Sequence, residues 1–473
     1  MAEILHTPVD ERLTELLHQT FEVHNQISSS KTKIQRVPTF LRQNPDFAKY
    51  CIPKMISFGP IHYQNDDLKQ GQQFKLQWTS LYIDEYSEET NGSTNKEAAA
   101  KLLYKIIQDN IGRLKLLFSV DVIECYVDKE LIWMLFVDGC SLLYYMDKVE
   151  DHRPEKLRLK LDQLMYTYRD IMLLENQLPM ELLELLSKKK GADLGFLMHN
   201  FLSGGNAKQL GMYAIKLKQN PTHILDYYRS NFVDAENGKY VMKQDDSKGD
   251  DEDIQVSLPP EDLDAPPVDR DASRFWERYK NIRDLKSAGI RVKPNKSNVL
   301  KWDNISFTSK WFGGELRLPM FLFNDNSPYY FRNMIAYEMC PDFNNNFGCS
   351  SFFSFMDSLI DDAEDVKELR LAGVFQNLLG SDEELAKFFN ELGHDLPTKL
   401  FHYIRTDAVA YSKKYIQVKF QIQKHYRKRW NKWLAEARST YFNTPWSLLA
   451  FLAALLALLL TFIQAWYAIH PKH

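Results

Sequence analysis

The segment that most constrains this chain is its C-terminal run WSLLAFLAALLALLLTFIQAWYAI, residues 446–469, which contains no charged residue. As a helix rising 1.5 Å per residue it extends about 36 Å, more than the ~30 Å hydrocarbon core of a bilayer. A buried helix of that length is rarely apolar on every face. Trp446 at one end and Trp466 and Tyr467 at the other stand where interfacial aromatic belts stand. Pro445 precedes the run, at a position where helix starts accept proline. The run therefore predicts one transmembrane helix. Only His470, Pro471, Lys472 and His473 follow it, the layout expected of a tail-anchored, single-pass protein.

Flanking charge predicts the orientation. Between Tyr411 and Thr440 lie Lys413, Lys414, Lys419, Lys424, Arg427, Lys428, Arg429, Lys432 and Arg438, opposed by Glu436 alone. The positive-inside rule then puts the large N-terminal body in the cytosol, at the plasma membrane or an endomembrane. In that topology the N-x-S sequons at Asn91, Asn295 and Asn304 never meet the glycosylation machinery. Within the same segment Tyr411, Tyr415, Val418, Ile422, Tyr426, Trp430 and Trp433 recur at three- or four-residue spacing, an apolar stripe on a helix. One reading lays this helix on the membrane surface, with Lys424, Arg427, Lys428, Arg429, Trp430, Lys432 and Trp433 facing anionic lipid. The other makes it a core helix of the body. Nucleic-acid binding by the same basic-aromatic mixture is set aside, because the anchor holds the segment against a membrane.

The whole chain of 473 residues has globular composition, 44% hydrophobic and 26% charged, which excludes a chain disordered throughout. A net charge of −4 excludes a general polyanion binder. Cys51, Cys125, Cys140, Cys340 and Cys349 are odd in number and nowhere in CxxC spacing, so neither a zinc cage nor a disulfide framework is expected. The N-terminus has no basic and apolar regions of a signal peptide.

The spacing of Leu13, Leu16, Leu17 and Phe21 predicts a first helix in residues 1–33. Pro38, Pro45, Pro53 and Pro60 predict an extended or turn-like stretch over 34–63. Helical periodicity follows at 95–118, 131–146 and 155–188. Residues 245–271 combine an acidic cluster with Pro259, Pro260, Pro266 and Pro267, which marks a linker or long loop between an α-rich part, 34–244, and a second part, 272–410. That second part opens with a helix over 274–289 ended by Gly289. Two β-rich runs in 302–323 flank Gly313-Gly314, a hairpin signal, with Pro319 confining the second strand to an edge. Residues 350–412 return to helix. The expected order closes with a juxtamembrane helix over 411–440 and the span over 446–469. The fold class is mainly α with a small β-hairpin, that is α+β: a large cytosolic helical body plus one C-terminal transmembrane helix.

No P-loop, GxGxxG, HExxH, GxSxG or kinase signature occurs, and SGGNAK (203–208) lacks P-loop spacing. No catalytic, metal or cofactor residue is assigned. The densest polar group in an apolar setting is in DIMLLENQLPMELLELL (170–186). Asp170, Glu175, Asn176 and Gln177 there form either a recognition or catalytic cluster or, the favoured reading, a buried hydrogen-bonded corner locking two helices. Asp138 and Cys140 sit in another apolar run, and Arg332, Asn333 and Glu338 in a third, suited to an internal salt bridge or cap.

These same runs carry a resemblance. DIMLLENQLPMELLELL, QRVPTFLR (35–42), SFGPIHY (57–63), VDGCSLL (137–143), RNMIAYE (332–338), FMDSLIDDAEDVKELRLAG (355–373) and TPWSLLAFLAALLALLLTF resemble, in order, the plant domain of unknown function 247 family. The chain departs from the family pattern at Ile61-His62-Tyr63 and at QGQQFKLQW (70–78). The resemblance implies a mostly helical land-plant protein with one C-terminal membrane segment and no established activity, some relatives being linked to self-incompatibility recognition. The expected function is therefore a non-enzymatic interaction or signalling component held at a membrane, with lipid and protein partners. The alternatives are an enzyme using Asp138, Cys140 and Glu175, or an extracellular-facing recognition protein in inverted topology.

Overall fold

A computed structural model describes residues 32–45, 49–91, 95–150, 153–189, 192–202, 221–233, 281–295, 301–310, 313–343, 346–394, 396, 412–427 and 445–469. The expected first helix around Leu13–Phe21, the SGGNAK loop, the acidic-proline stretch 245–271 and residues 428–433 lie outside the described residues.

Helix α3 (Asp128–Glu150) is the axis of the N-terminal part. From Leu131 to Met146 all its residues are buried except Trp133. A helix apolar on all sides needs neighbours on all sides. They are α1 (Lys69–Asn91), α2 (Lys96–Lys115), α5 (Met180–Leu186) and α6 (Ala192–Leu202). Helix α2 starts where Asn95 accepts the N–H of Ala98, carries Glu97 in its first turn and ends on Arg113 and Lys115, so cap and dipole agree.

The periodicity over 155–188 does not become one helix. It breaks into a 3-10 turn (Pro154–Leu157), α4 (Leu161–Ile171), a second 3-10 turn (Leu174–Asn176) and α5. The Gln177 amide explains the second break: its Nε2 donates to the carbonyls of Ile171 and Leu173, both at 2.7 Å. Those carbonyls are thereby withdrawn from a continuing helix.

After α7 (Ile224–Ser230), α8 (Ile282–Ser287) ends at Gly289, whose φ of 78° supplies the left-handed step expected of it. Strands β2 (Ser306–Lys310) and β3 (Gly313–Leu318) form the anticipated antiparallel hairpin, Ser306 opposite Arg317 and Lys310 opposite Gly313. Strand β1 (Ile290–Pro294) adds in parallel to the other side of β3. So β3 is central rather than an edge; Pro319 lies one residue past its end, where no ladder N–H is needed. A separate pair, β4 (Phe321–Phe323) and β5 (Phe375–Asn377), interrupts the helical run of α9 (Ser327–Glu338), α10 (Gly348–Asp357), α11 (Ala363–Leu371) and α12 (Asp382–His394). Trp302 gathers Phe232, Phe321 and Phe352 at 4.7, 5.1 and 5.1 Å between ring centroids. One contiguous apolar cluster runs from Ile34 to Ile422. The fold is mainly helical with a small β region.

Helix α13 (Lys413–Arg427) packs on β2 and α10. Tyr415, Val418 and Ile422 are buried in the body, and the Tyr415 hydroxyl donates to the Trp302 carbonyl at 2.5 Å. The described part of the aromatic stripe is thus spent on protein. Lys424 is exposed on the opposite side of this helix.

The anchor is corrected. Among the described residues no helix is long and apolar enough to cross a membrane. Helix α14 (Pro445–Ile469) itself forms. The tail-anchored single-pass layout, the membrane location, the lipid partner, the orientation drawn from flanking charge and the membrane-held function fall with the anchor.

Candidate functional site

Among the described residues of 32–63 there is no strand or long helix, yet many of these residues are buried. Buried N–H and C=O groups outside regular structure need side-chain partners. For this strap many of them come from the end of α4 and the corner after it. Asp170 accepts the N–H groups of Lys54, Met55 and Ile56 at 3.1, 2.6 and 2.9 Å. Asn176 accepts the Phe58 N–H at 2.7 Å and donates to the carbonyls of Ile56 and Asp170 at 3.1 and 2.9 Å. Glu175 accepts the Val37 N–H at 2.8 Å and pairs with Arg42. His62 Nε2 lies 3.1 Å from its other oxygen, within ion-pair reach but out of line for a hydrogen bond. Gln177 turns the other way: its Oε1 accepts the Leu225 N–H at 3.0 Å, tying α7 to the same corner.

Asp138 completes the frame from α3. It accepts the Gly59 N–H at 2.8 Å and pairs with Lys75 at 2.5 Å, while Lys75 also donates to the Ser57 carbonyl at 2.6 Å. Gly59 has φ of 73°, and a Cβ there would sit 2.9 Å from the Gln177 carbonyl oxygen, so glycine is required twice over. From α9, Asn333 accepts the Leu174 N–H at 2.8 Å and donates to the Tyr50 carbonyl at 2.8 Å. Glu338 pairs with Arg229 at 2.6 Å and accepts the N–H groups of Cys349 and Ser350. Arg332 reaches Glu391 at 3.2 Å.

Burial sets the electrostatics. It pushes the Asp170 carboxyl up to about 6, against the pull of its three backbone donors. Burial also pushes Asp138 up and Lys75 down, each opposed by the other. Burial works upward on Glu175 too, but His62, Arg42 and the Val37 N–H together hold it below the usual carboxylate range.

Asp170, Glu175, Asn176 and Gln177 therefore meet in one place, all buried. The enzyme alternative fares differently. Asp138 is spent on Lys75, Glu175 on Arg42, and Cys140 is fully buried in α3, its thiol pushed up by desolvation. Among the described residues no group of three His, Cys, Asp or Glu is placed to hold a metal ion. Of the sequons, Asn295 commits its amide nitrogen, the atom a glycan would need, to Asn304 at 2.7 and 3.0 Å.

A cleft of about 320 Å³ that sequence reasoning missed opens where the strap leaves the frame. Tyr63 and Gln64 from the strap, Tyr104 from α2, Tyr126, and Lys129, Glu130 and Trp133 from α3 line it. Tyr126 donates to the Pro60 carbonyl at 2.8 Å and meets Tyr63 edge-on at 6.2 Å, tying the cleft wall to the strap. Burial pushes the Tyr126 phenol up to about 12 and the Tyr63 phenol upward, so both remain hydroxyls at neutral pH. Among the described residues the side chains of Tyr63, Gln64, Tyr104, Lys129, Glu130 and Trp133 make no hydrogen bond within the chain. Within the buried run Leu131–Met146 of α3, Trp133 stands out as 47% exposed. A second cavity, of about 410 Å³, lies between α11 and α12. Its polar groups are largely committed: Asp362 to Arg283, Glu391 to Arg332 and Asn390 to the Asp361 carbonyl.

The sequence runs that first suggested a family are the ones that build this frame: the strap, the α3 segment around Asp138, the corner and α9. The family model described as a plant protein of unknown function matches residues 34–460. The Arabidopsis thaliana UPF0481 protein At3g47200 is 26% identical over 447 residues, covering 92% of this chain and 86% of that protein. The putative UPF0481 protein At3g02645 of the same plant is 27% identical over 203 residues, 43% of this chain and 34% of its own. No solved structure matches. With nearly its whole frame inside the matched range, the chain belongs to the plant domain of unknown function 247 family.

Proposed function

We propose that this chain is a binding protein whose ligand seats in the aromatic cleft, and that the polar corner is its structural lock rather than a reacting centre. One observation carries the first half. In the frame, polar side chains are spent on backbone and on each other; at the cleft, the side chains of Tyr63, Gln64, Tyr104, Lys129, Glu130 and Trp133 make no hydrogen bond among the described residues. A concave, mostly aromatic site with a few uncommitted polar groups is what small-ligand recognition needs. For the corner, Asp170, Asn176 and Gln177 direct their hydrogen bonds at backbone groups, and Glu175 divides its own between backbone and Arg42. That pattern supports a lock, because it leaves little of their capacity for a substrate.

The test is a thermal-shift screen of a diverse small-molecule set against the full chain and against Trp133→Ala. Compounds that bind the folded state raise the midpoint by mass action. The reading requires compounds that stabilise the wild type and lose their effect in the variant. If every stabilising compound acts equally on both, the cleft is not the site.

A further inference from the structure

We infer that the cleft takes an uncharged saccharide of one or two rings. This rests on the binding reading above and names its ligand class. Charge comes first: Lys129 and Glu130 are neighbours on α3 and of opposite sign, so the mouth offers no net field to an anion or a cation. The polar chemistry comes second. The hydroxyls of Tyr63 and Tyr104 and the amide of Gln64 both donate and accept, whereas the Trp133 indole only donates. Sugar hydroxyls do both as well. A purely apolar ligand would bury these groups unpaired, at a cost. The rings come third. Tyr63 and Tyr126 stand at 79° to one another, so they form no parallel pair to clamp a flat heterocycle or to flank a polyproline helix. Trp133 lines the cleft and is 47% exposed, so its indole offers apolar ring surface on which the C–H face of a pyranose can pack. The volume of about 320 Å³ is at the lower end for small-molecule sites and has room for one or two sugar rings.

The experiment uses the full chain labelled with 5-fluorotryptophan, the Trp133 resonance being assigned by Trp133→Phe. Three probe sets are titrated: neutral mono- and disaccharides of gluco, galacto, manno and xylo configuration; a decaproline peptide; and inorganic phosphate with glucuronate. The expected result is a saturable shift of the Trp133 signal by at least one neutral sugar, weakened at least fivefold in Gln64→Ala, whose exposed side chain can be shortened without touching the core. Should decaproline or the anions move Trp133 while no neutral sugar does, the ligand class is wrong and the binding cleft stands. Should neutral sugars move only other tryptophans, or should nothing move Trp133, both readings fall.

Discussion

Replacing Asn176 tests the lock directly. Its amide serves three backbone groups, and one of them survives its loss, since the Asp170 carbonyl also accepts the Leu173 N–H at 3.2 Å. Asn176→Ala therefore orphans two groups, the Phe58 N–H and the Ile56 carbonyl, both in residues about 1% exposed. At about 1–3 kcal/mol for each buried group left unpaired, the expected loss is about 4 kcal/mol. Asn176→Asp keeps an acceptor for Phe58 but turns a carboxylate oxygen toward the Ile56 carbonyl, with no added cation to offset it. It should be worse than alanine at pH 7 and recover as acid protonates the buried group. Urea unfolding of the full chain, followed by fluorescence and by circular dichroism, gives both numbers. A loss below about 1 kcal/mol for Asn176→Ala, or an aspartate variant more stable than the alanine variant at neutral pH, would refute the reasoning, because the strap would then be held by something other than these hydrogen bonds.

Three further outcomes follow from the same frame. Asp170 has a folded pKa raised from 3.8 to about 6, so its protonated form favours folding: that contribution is complete below the unfolded value and is lost as pH rises through the folded one. Paired urea titrations of the wild type and Asp170→Asn should then shift by about 1 kcal/mol in favour of the wild type between pH 7 and pH 5, and a flat difference would contradict it. Lys75→Met strands a buried Asp138 carboxylate and should cost about 3–5 kcal/mol by chemical denaturation, with Lys75→Met/Asp138→Asn regaining part of it. Gly59→Ala forces a side chain into a left-handed backbone against the Gln177 carbonyl and should cost about 1–3 kcal/mol; a neutral result would show that the strap can shift.

How much of this was legible in the sequence depends on the range of the interactions. Local signals read well. Gly289 marked a helix end because cap geometry is encoded within a few residues; the hairpin was also legible, but Gly313 and Gly314 are the first residues of β3 rather than the turn between the strands. Pro319 misled because one residue of register decides whether a proline lies in a strand or beyond it. Strand β1 went unseen, since a parallel partner is chosen by tertiary packing. In the corner, the residue types Asp170, Glu175, Asn176 and Gln177 were visible as polar groups in apolar company. Pro179 caps the next helix, α5, which begins at Met180. What Asp170, Glu175 and Asn176 bind in the strap lies more than a hundred residues upstream, and the Leu225 that Gln177 holds lies 48 residues downstream; neither carries a periodicity. The cleft was invisible for the same reason: its lining comes from the strap, α2, α3 and the turn between the helices, and none of these pieces looks like a site alone. The C-terminal run showed the limit of composition. Its helix was expected and is present, while the span inferred from it does not stand among the described residues.

The side-chain seat of the strap also has a consequence in time. A ribosome delivers residues 34–63 early, but Asp170 and Asn176, which bond Ile56 and Phe58, lie 114 and 118 positions later, and Asn333, which bonds Tyr50, lies 283 positions later. Until then the N–H groups of Met55, Ile56 and Phe58 lack their acceptors, although Asp138, the acceptor for Gly59, arrives sooner, and the prolines keep the segment from settling into a helix instead. Release of the chain before residue 177, by a premature stop or a truncated clone, would leave a helical fragment trailing an unclosed N-terminus. The order of synthesis thus makes the early third of the polypeptide a client for chaperones until its middle arrives.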